Sequence, residues 1–580
     1  MNDALQQLLD RLTALLAEKP LIGAWYTTVV RFVFPLLALM ILVGAIRSLW
    51  KVKHPDEVWG YLVLRNGVRL PITHWENIIG RAPSCDVQLE YPSVSRQHAA
   101  LIREDDGSWT IYDLGSKGGI KVNDLPVDEY ALVEDGDTIT FAGIPAIMEP
   151  ITAEEKRAQM VERRIEGKPA GMWGSLVLLT LFQILTGLQL IIAQGDKATT
   201  TIPLTFFVFT VICWAYFIVM RLFRRIGFEM ETIAFFLCTL SLAVTGSTVP
   251  DELPKQLIAI LMGLAIFIVL GFFLRDLTRA QKVRWFMSAT AVGLLAITLL
   301  IGSSQGGAKA WLRLGPLSLQ TSEIAKICYI FAGAATLDRL FNKRNLWMFI
   351  GLTAICGGCL ALQNDFGTAL VFFVTFLVIA YLRSGDFATI GLAGCFGAGM
   401  VMLTIKPHVA ARFASWGHIW EDVYDKGFQQ THTLTAAASG GMIGVGAGKG
   451  WLSNLPAADT DIVFGMLCEE WGLVIAVLTI LCIITLAVFA VRACRAGRSS
   501  FYTIAACAAT SLLVFQTCLN VFGAVDILPF TGVTLPFVSN GGSSMLSAWG
   551  MLAFLKATDT RQNASFAVRL PSRRELRGEE

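Results

Sequence analysis

A polar stretch between residues 406 and 461 holds the side chains best suited to acid–base chemistry. Long apolar runs flank it, and it ends at Asp461, directly before the apolar sequence Ile462–Gly465. A carboxylate where a helix enters a bilayer from a glycine-rich loop is a functional candidate, because ionisable groups are costly there. Asp461 is therefore the first candidate for a catalytic base. The alternative is a helix N-cap, a common role for aspartate.

The composition of the chain is that of a membrane protein. Of its 580 residues, 54% are hydrophobic and 16% are charged, which lies outside the range of soluble globular domains. The formal net charge of +2 gives no basic signal, and no nucleic-acid partner is expected. Most of the 12 cysteines lie in apolar runs and are expected to act as small hydrophobes.

Apolar runs of spanning length predict a polytopic α-helical membrane protein with about twelve spans after residue 170 and one N-terminal span near Leu21–Trp50. The later runs lie at 171–194, 202–220, 232–248, 256–274, 285–302, 323–337, 346–362, 367–382, 387–405, 462–491, 501–528 and 542–555. Asp461 thus stands directly before one of these predicted spans.

Six regions differ in composition. They are an amphipathic helix with a single span at 1–50, a small all-β domain at 51–150, a charged linker at 151–170, additional spans at 171–228, the main membrane domain at 229–558 and a tail at 559–580. The β domain is predicted from short alternating runs between glycine turns, such as Trp109–Asp113.

Lys and Arg concentrate in alternate loops between the predicted spans. Five loops on one side hold 14 of them, whereas the short loops on the other side hold four. Because cytoplasmic loops carry the excess of Lys and Arg, this bias orients the whole chain. It predicts that the 406–461 loop faces outward from the cytoplasmic membrane, and that the β domain and the tail are cytoplasmic.

Six motifs in the β domain form one set: Gly80-Arg81, Asp86–Leu89, Val94–His98, Asp113–Ser116, Val122-Asn123 and Asp135–Asp137. The set resembles a forkhead-associated (FHA) domain, a phosphothreonine-binding β-sandwich. The resemblance implies a phosphopeptide site at Arg81, Ser95, Ser116 and Asn123, and a guanidinium and a hydroxyl suit a phosphate. Gly118 stands where the family carries an asparagine that holds the peptide backbone. The alternative is a domain that kept this fold but docks something else.

The membrane region contains four further blocks. They are Gly307–Trp311 with Gln320–Lys326, Leu362–Thr368, the 427–472 stretch with Asp461–Phe464, and Leu528–Gly532 with Leu535–Ser544. In order and spacing they resemble the SEDS proteins (shape, elongation, division and sporulation), the group of FtsW, RodA and SpoVE. The resemblance implies a peptidoglycan glycosyltransferase that builds cell wall for cell shape or for cell division. Such an enzyme polymerises lipid II, the lipid-linked disaccharide-pentapeptide, on the outer face of the cytoplasmic membrane.

Asp461 matches the catalytic aspartate of this family, but two other positions depart from the family pattern. Asp459 stands where relatives have histidine, and Asn540 stands where they usually have tyrosine. Two carboxylates so close in sequence either raise the pKa of one of the pair or help to bind a divalent cation, Mg²⁺ or Mn²⁺. The sequence leaves both possibilities open.

Further side chains are candidates for binding the substrate, because transfer from a pyrophosphate needs cations near the leaving group. They are Lys309, Trp311, Lys326, Lys406, Arg412, Gln429 and Glu469. Alternatives exist: Lys326 has Glu323 at i, i+3 as an ion-pair partner, and charges in the outer loop are often solvated. Glu469 is expected two helical turns below Asp461, on the same helix face.

Two other functions fit the same composition: a lipid II flippase or other transporter, and a non-catalytic scaffold for cell-wall assembly. By analogy with the SEDS family, the expected partners are lipid II and a penicillin-binding transpeptidase. The FHA resemblance adds a phosphothreonine protein on the cytoplasmic side.

Overall fold

The computed structural model describes residues 2–51, 57–74, 76–83, 85–103, 107–166, 169–305, 308–315, 317–336, 343–384, 391, 413–495, 499–561 and 564–565. Two separate hydrophobic cores form within these residues. One lies inside a β-sandwich and the other inside a bundle of long helices.

The β-sandwich consists of two sheets. Its strands are β1 (Gly60–Leu64), β2 (Arg69–Ile72), β3 (Glu76–Gly80), β4 (Val87–Gln88), β5 (Ala99–Arg103), β6 (Trp109–Asp113), β7 (Ile120–Val122), β8 (Leu125–Pro126), β9 (Tyr130–Val133), β10 (Thr138–Phe141) and β11 (Ile144–Pro150). The sheet orders are β2-β1-β11-β10-β7-β8 and β4-β3-β5-β6-β9. Alternate residues of the strands point inward, as in β1, where every second residue is buried. The predicted all-β domain is confirmed.

Two helices precede this domain in the sequence, and three follow it before residue 229. They are α1 (Asn2–Glu18), α2 (Pro20–Lys51), α3 (Ala153–Glu166), α4 (Trp173–Gln194) and α5 (Thr201–Leu222). The chain leaves α2, forms the sandwich and returns through α3 to α4. Helix α2 packs against α4 and also against the bundle that follows, so the N-terminal span is part of the same core.

The remaining helices begin at Glu229. They are α6 (Glu229–Thr248), α7 (Leu253–Phe273), α8 (Leu277–Lys282), α9 (Arg284–Ile301), α10 (Thr321–Thr336), α11 (Lys343–Leu362), α12 (Phe366–Ser384), α13 (Phe428–Gly440), α14 (Val463–Met466), α15 (Gly472–Arg495), α16 (Ser500–Ala524) and α17 (Gly542–Thr558). A π-helical turn, Leu467–Trp471, joins α14 to α15. The predicted loop around Lys309 is instead a small sheet of β12 (Ser303–Gln305), β13 (Ala308–Leu314) and β14 (Leu317–Gln320).

Eight helical segments of the described residues are long and apolar enough to cross a membrane. They are Pro20–Lys51, Trp173–Lys197, Thr201–Leu222, Glu229–Thr248, Pro250–Phe273, Arg284–Ile301, Val463–Cys494 and Phe501–Ala524. Two shorter apolar helices lie at Leu346–Leu362 and Phe366–Leu382. The run predicted at 387–405 falls outside the described residues except for Gly391. The polytopic helical architecture is confirmed, whereas the full number of crossings stays a prediction.

Buried ion pairs connect the C-terminal end of α17 and the residues after it to the start of α6. The Arg561 guanidinium donates to both oxygens of Glu229 at 3.1 Å, and it also pairs with Asp559 at 2.8 Å. Lys556 pairs with Glu231 at 3.0 Å. Asp559 and Arg561 are buried, so the packed bundle continues past residue 558, where composition ended the membrane domain.

Candidate active site

Asp461 lies at the end of the polar loop, two residues before helix α14. The N-cap position of that helix is Ile462, and no side chain caps it, so the structure does not support the N-cap role considered for Asp461. Its backbone is held from two sides: its N–H donates to the carbonyl of Ala457 at 3.0 Å, and its carbonyl accepts from Asn520 at 2.9 Å. The same Asn520 amide donates to the carbonyl of Val533 at 2.8 Å.

The carboxylate of Asp461 faces Gly532. A Cβ atom on Gly532 would lie 3.2 Å from Oδ2 of Asp461, and the φ of Gly532 is +69°. A side chain here would therefore strain the backbone and crowd the carboxylate. Asp461 itself is half-buried. The segment around Gly532 thus forms one wall of a polar site without covering its carboxylate with a side chain.

The two positions that depart from the family pattern contact each other. Oδ2 of Asp459 accepts a hydrogen bond from the side chain of Asn540 at 2.7 Å, and the Asn540 backbone N–H donates to the Asp459 carbonyl at 2.8 Å. Ser539 donates to the carbonyl of Thr460 at 2.7 Å. These bonds fix the Asp459–Asp461 segment against the start of α17.

The role of Asp459 and Asp461 as ligands of a divalent cation stays a prediction. Across the described part of the chain, no group of three or more His, Cys, Asp or Glu side chains is arranged to hold a metal. One oxygen of Asp459 is already bonded to Asn540. Asp459 and Asp461 are therefore the two carboxylates considered for a cation at this site, and Asp461 is the one that faces Gly532.

Glu469 organises the loop that leads to Asp461. Its carboxylate accepts from the backbone N–H of Trp451 at 2.9 Å and of Leu452 at 3.0 Å, and the residue is 1% exposed. The expected shared helix face with Asp461 is wrong, because α14 begins only at Val463 and a π-turn follows from Leu467. An i, i+8 relation needs an uninterrupted α-helix.

The π-turn supplies carbonyl groups to the same loop. The carbonyls of Glu469 and Glu470 accept from the N–H groups of Val445 and Gly446 at 2.9 and 3.0 Å. Gly440 allows this approach, because a Cβ there would lie 2.1 Å from the carbonyl oxygen of Cys468. π-turns inside helices are frequent at functional sites, and here the turn docks the loop that precedes Asp461.

A second polar cluster lies at the start of α10. The Lys326 ammonium is 2.7 Å from Oε1 of Glu323, with side chains only 2% and 5% exposed, so the pairing considered from the sequence is confirmed. Asp365 accepts from the Thr368 N–H at 3.1 Å and lies 3.5 Å from the Gln320 amide. Burial raises the pKa of Asp365. Asp365 belongs to the block Leu362–Thr368 that carries part of the family resemblance.

The Thr531–Val533 segment connects the two clusters. A Cβ on Gly367, two residues after Asp365, would lie 3.0 Å from the Val533 side chain and 3.3 Å from the Thr531 carbonyl. Gly532, between them, faces Asp461. The described residues therefore form two charged clusters, one on each side of this segment.

Other predicted residues lie elsewhere. Lys309 donates to the carbonyls of Leu299 and Leu300 at 2.8 and 3.1 Å, where it neutralises the C-terminal end of α9. Trp311 pairs in the small sheet with Gln320. Gln429, at the start of α13, donates to the carbonyl of Pro456 at 3.4 Å. Lys406 and Arg412 lie outside the described residues.

Three of the four predicted phosphopeptide residues come together in the β-sandwich. The Arg81 N–H donates to the Ser95 carbonyl at 3.0 Å, and the Ser95 hydroxyl accepts from the N–H of Lys117 at 3.1 Å, next to Ser116. Asn123 instead donates to Asp137 at 2.6 Å. Its role toward a phosphopeptide stays a prediction.

A side chain at position 118, where the family carries asparagine, would clash with a neighbouring turn. A Cβ on Gly118 would lie 2.3 Å from the Cβ of Ala142. Ala142 itself has a φ of +48° in the turn between β10 and β11. This turn therefore excludes any side chain at position 118.

Comparisons with known proteins agree with this architecture of a membrane helix bundle with a β-sandwich. A model of the FtsW/RodA/SpoVE family, described as cell cycle protein, matches residues 214–564, and an FHA domain model matches residues 77–142. The chain belongs to the FtsW/RodA/SpoVE family and carries an FHA domain.

Among its relatives, peptidoglycan glycosyltransferase RodA of Mycobacterium tuberculosis is 32% identical over 323 residues, covering 52% of this chain and 69% of that protein. A probable peptidoglycan glycosyltransferase FtsW of Pseudoalteromonas translucida is 31% identical over 324 residues, covering 52% of this chain and 81% of that protein. A solved chain from a peptidoglycan synthase complex is 27% identical, with a TM-score of 0.47, covering 58% of this chain and 98% of that chain. The apolar helices, together with the family match and the RodA and FtsW relatives, identify the chain as an integral membrane protein.

Proposed function

We propose that this chain is a peptidoglycan glycosyltransferase that polymerises lipid II, with Asp461 as its general base. The relatives named above carry this activity in their names. The observation that carries the residue assignment is the half-buried carboxylate of Asp461, set against a glycine and fixed through backbone bonds to Ala457 and Asn520. Such a fixed carboxylate suits proton abstraction, because a base must be held in position.

In this reaction Asp461 takes the proton from a sugar hydroxyl of the acceptor as its oxygen bonds to the anomeric carbon of the donor. The bond from that carbon to the polyprenyl pyrophosphate breaks, and the leaving group takes the electron pair. Cations near the pyrophosphate stabilise the charge that develops. We assign this role to Lys326, held by Glu323, and to Lys406 and Arg412.

The other candidates receive different roles in the proposal. Lys309 and Trp311 position the substrate from the small sheet, and Gln429 does so from the start of α13. Glu469 acts by holding the loop. The excess of Lys and Arg in alternate loops supports an extracytoplasmic site and a cytoplasmic β domain.

Purified protein incubated with labelled lipid II tests the proposal. Asp461→Asn is expected to lower the polymerisation rate by about 10²–10⁴-fold, the usual contribution of a general base, while still binding lipid II. Asp425→Asn is the matched control, because Asp425 is an exposed aspartate of the same outer loop. Glycan chains of equal length from Asp461→Asn and wild type reject the assignment. A transporter would give no polymer from any variant.

We also propose that the FHA domain recruits or regulates the enzyme by binding a phosphothreonine protein. Arg81, Ser95 and Ser116 are assigned to the phosphate. Arg81→Ala is expected to lose binding of a phosphothreonine peptide and to keep polymerisation of lipid II. Arg65→Ala, an exposed arginine in the turn after β1, is the control. Unchanged peptide affinity in Arg81→Ala contradicts the site.

The proposed partner on the membrane side is a penicillin-binding transpeptidase. Polymerisation produces uncrosslinked glycan strands, which a transpeptidase then joins. Copurification of such an enzyme with the full chain tests this step. Its absence from the complex under mild detergent contradicts the partnership.

A further inference from the structure

The N-terminal span contacts the loop that leads to the candidate base. The ammonium of Lys449 donates to the hydroxyl of Thr27 on α2 at 3.0 Å. A Cβ on Gly446 would lie 2.8 Å from the methyl group of Thr27. The loop backbone at Gly446 is therefore in contact with helix α2. Burial, and then the charge of Arg31, lowers the pKa of Lys449. Helix α2 therefore reaches the loop with one hydroxyl and one guanidinium.

A small cavity lies at this contact. Residues of α2, α4, the π-turn and the loop before Asp461 line it, among them Arg31, Gln189 and Glu470. The cavity leaves about 10 Å³ for the centre of a water molecule. Gln189 and Glu470 are each 1% exposed. Nε of Arg31, Oε1 of Gln189 and Oε1 of Glu470 have no hydrogen-bond partner among the described residues.

The chemistry of these three atoms matches one water molecule. Water donates two hydrogen bonds, which the oxygens of Gln189 and Glu470 accept, and it accepts one from the N–H of Arg31. Buried waters typically make about three hydrogen bonds and need about this much space. Without such a partner, each of these buried polar atoms would lose its hydrogen bonds to water and gain none in return.

Glu470 links this site to the loop. Its other oxygen accepts from the Gly448 N–H at 3.0 Å and from the Ser247 hydroxyl at 2.8 Å. Gly448 lies in the loop between α13 and Asp461. A buried carboxylate also needs a compensating charge, and Arg31 supplies one from outside the region that matches the family model, which begins at residue 214.

We infer that Arg31 is a positioning residue: with Gln189 it holds one water molecule against Glu470, and this bridge fixes the loop that ends at Asp461. The inference rests on the proposed function, since one of its two tests measures polymerisation. The other test, hydrogen exchange, is independent of activity. A wild-type protein without polymerase activity would reject the proposed function alone, and hydrogen exchange would still decide the role of Arg31.

The test compares full-length variants for lipid II polymerisation and for hydrogen exchange of residues 441–461. Arg31→Met is expected to lower kcat on the order of 100-fold, as for a displacement of about 1 Å, with KM nearly unchanged and faster exchange in 441–461. Arg31→Lys keeps a charge and a donor, and should recover most of the activity. Arg47→Met is the matched control, because Arg47 is an exposed arginine of the same helix.

Two results of this comparison overturn the inference. One is an Arg31→Met variant that matches Arg47→Met in kcat and in exchange. The other is a loss of kcat without faster exchange in 441–461. If Arg31→Met does not fold, the double variant with Glu470→Gln removes the uncompensated carboxylate and is expected to fold. Its exchange in 441–461 should exceed that of wild type, and equal exchange overturns the inference.

Discussion

Replacing Glu469 by alanine is expected to release the loop that precedes Asp461. Its two oxygens accept from the N–H groups of Trp451 and Leu452 at 2.9 and 3.0 Å. Hydrogen bonds to a charged group contribute about 1.5–3 kcal/mol each, so about 3–6 kcal/mol of local stability is lost. Glu469→Gln has one acceptor oxygen for these two donors, so it should lose about half of that amount.

Hydrogen exchange of the full-length protein measures this loss directly. Since each 1.4 kcal/mol corresponds to a factor of ten, amides of residues 441–461 should exchange on the order of 10²–10⁴ times faster in Glu469→Ala. Polymerisation of lipid II should fall as well, because Asp461 follows this loop. Glu421→Ala is the matched control: its side chain is 78% exposed and pairs only with the exposed His418 in the described structure, and such surface pairs contribute little.

The role of Glu469 in holding the loop is refuted if residues 441–461 of Glu469→Ala exchange at the wild-type rate. It is also refuted if exchange rises equally in Glu469→Ala and Glu421→Ala, because the effect would then not depend on the two buried hydrogen bonds. A graded order of wild type, Glu469→Gln and Glu469→Ala would support it.

Three further predictions concern other parts of the chain. Gly118→Asn should lower the melting temperature of the protein's FHA domain and should not improve phosphopeptide binding, because of the clash with Ala142; adding Ala142→Gly should relieve part of the loss. Arg561→Ala should destabilise the protein by about 3–5 kcal/mol in denaturant unfolding, because two buried carboxylates lose the guanidinium that pairs with them. Asp459→Ala and Asn540→Ala should be non-additive in lipid II polymerisation by about 0.5–3 kcal/mol, as expected for residues in contact, and additive effects would contradict their coupling.

Much of the helical framework is predictable because membrane spans have a characteristic length and composition. The N-terminal span predicted near Leu21–Trp50 and the helix α2 agree closely, as do the runs that became α4 to α7. The β-sandwich is predictable for a similar reason, since its strands alternate between buried and exposed residues. The position of Asp461 before a helix also follows directly from the change in composition.

The interruption of that helix is not predictable from apolar periodicity. The sequence Leu467–Trp471 is compatible with a continuous helix, and the π-turn is stabilised by N–H groups of a loop more than 20 residues earlier in the chain. The role of Glu469 depends on the same long-range contact. By contrast, the small sheet at Ala308–Gln320 has a readable signal: in β13, Ala310 and Leu312 are buried and alternate with more exposed residues.

The N-terminal span α2 contacts other parts of the membrane bundle near both of its ends. Near the C-terminal end of α2, the Ser48 hydroxyl contacts the Glu229 carboxylate and accepts from the Ala170 N–H at 3.1 Å. Ser48 and Ala170 flank the β domain in sequence, so both connections to that domain meet at one point. A ligand of the β domain can change the proposed polymerisation only if the domain binds that ligand more tightly when α2 is in one position than when it is in another. The Thr27–Lys449 contact is where such positions must differ, because there α2 meets the loop before Asp461.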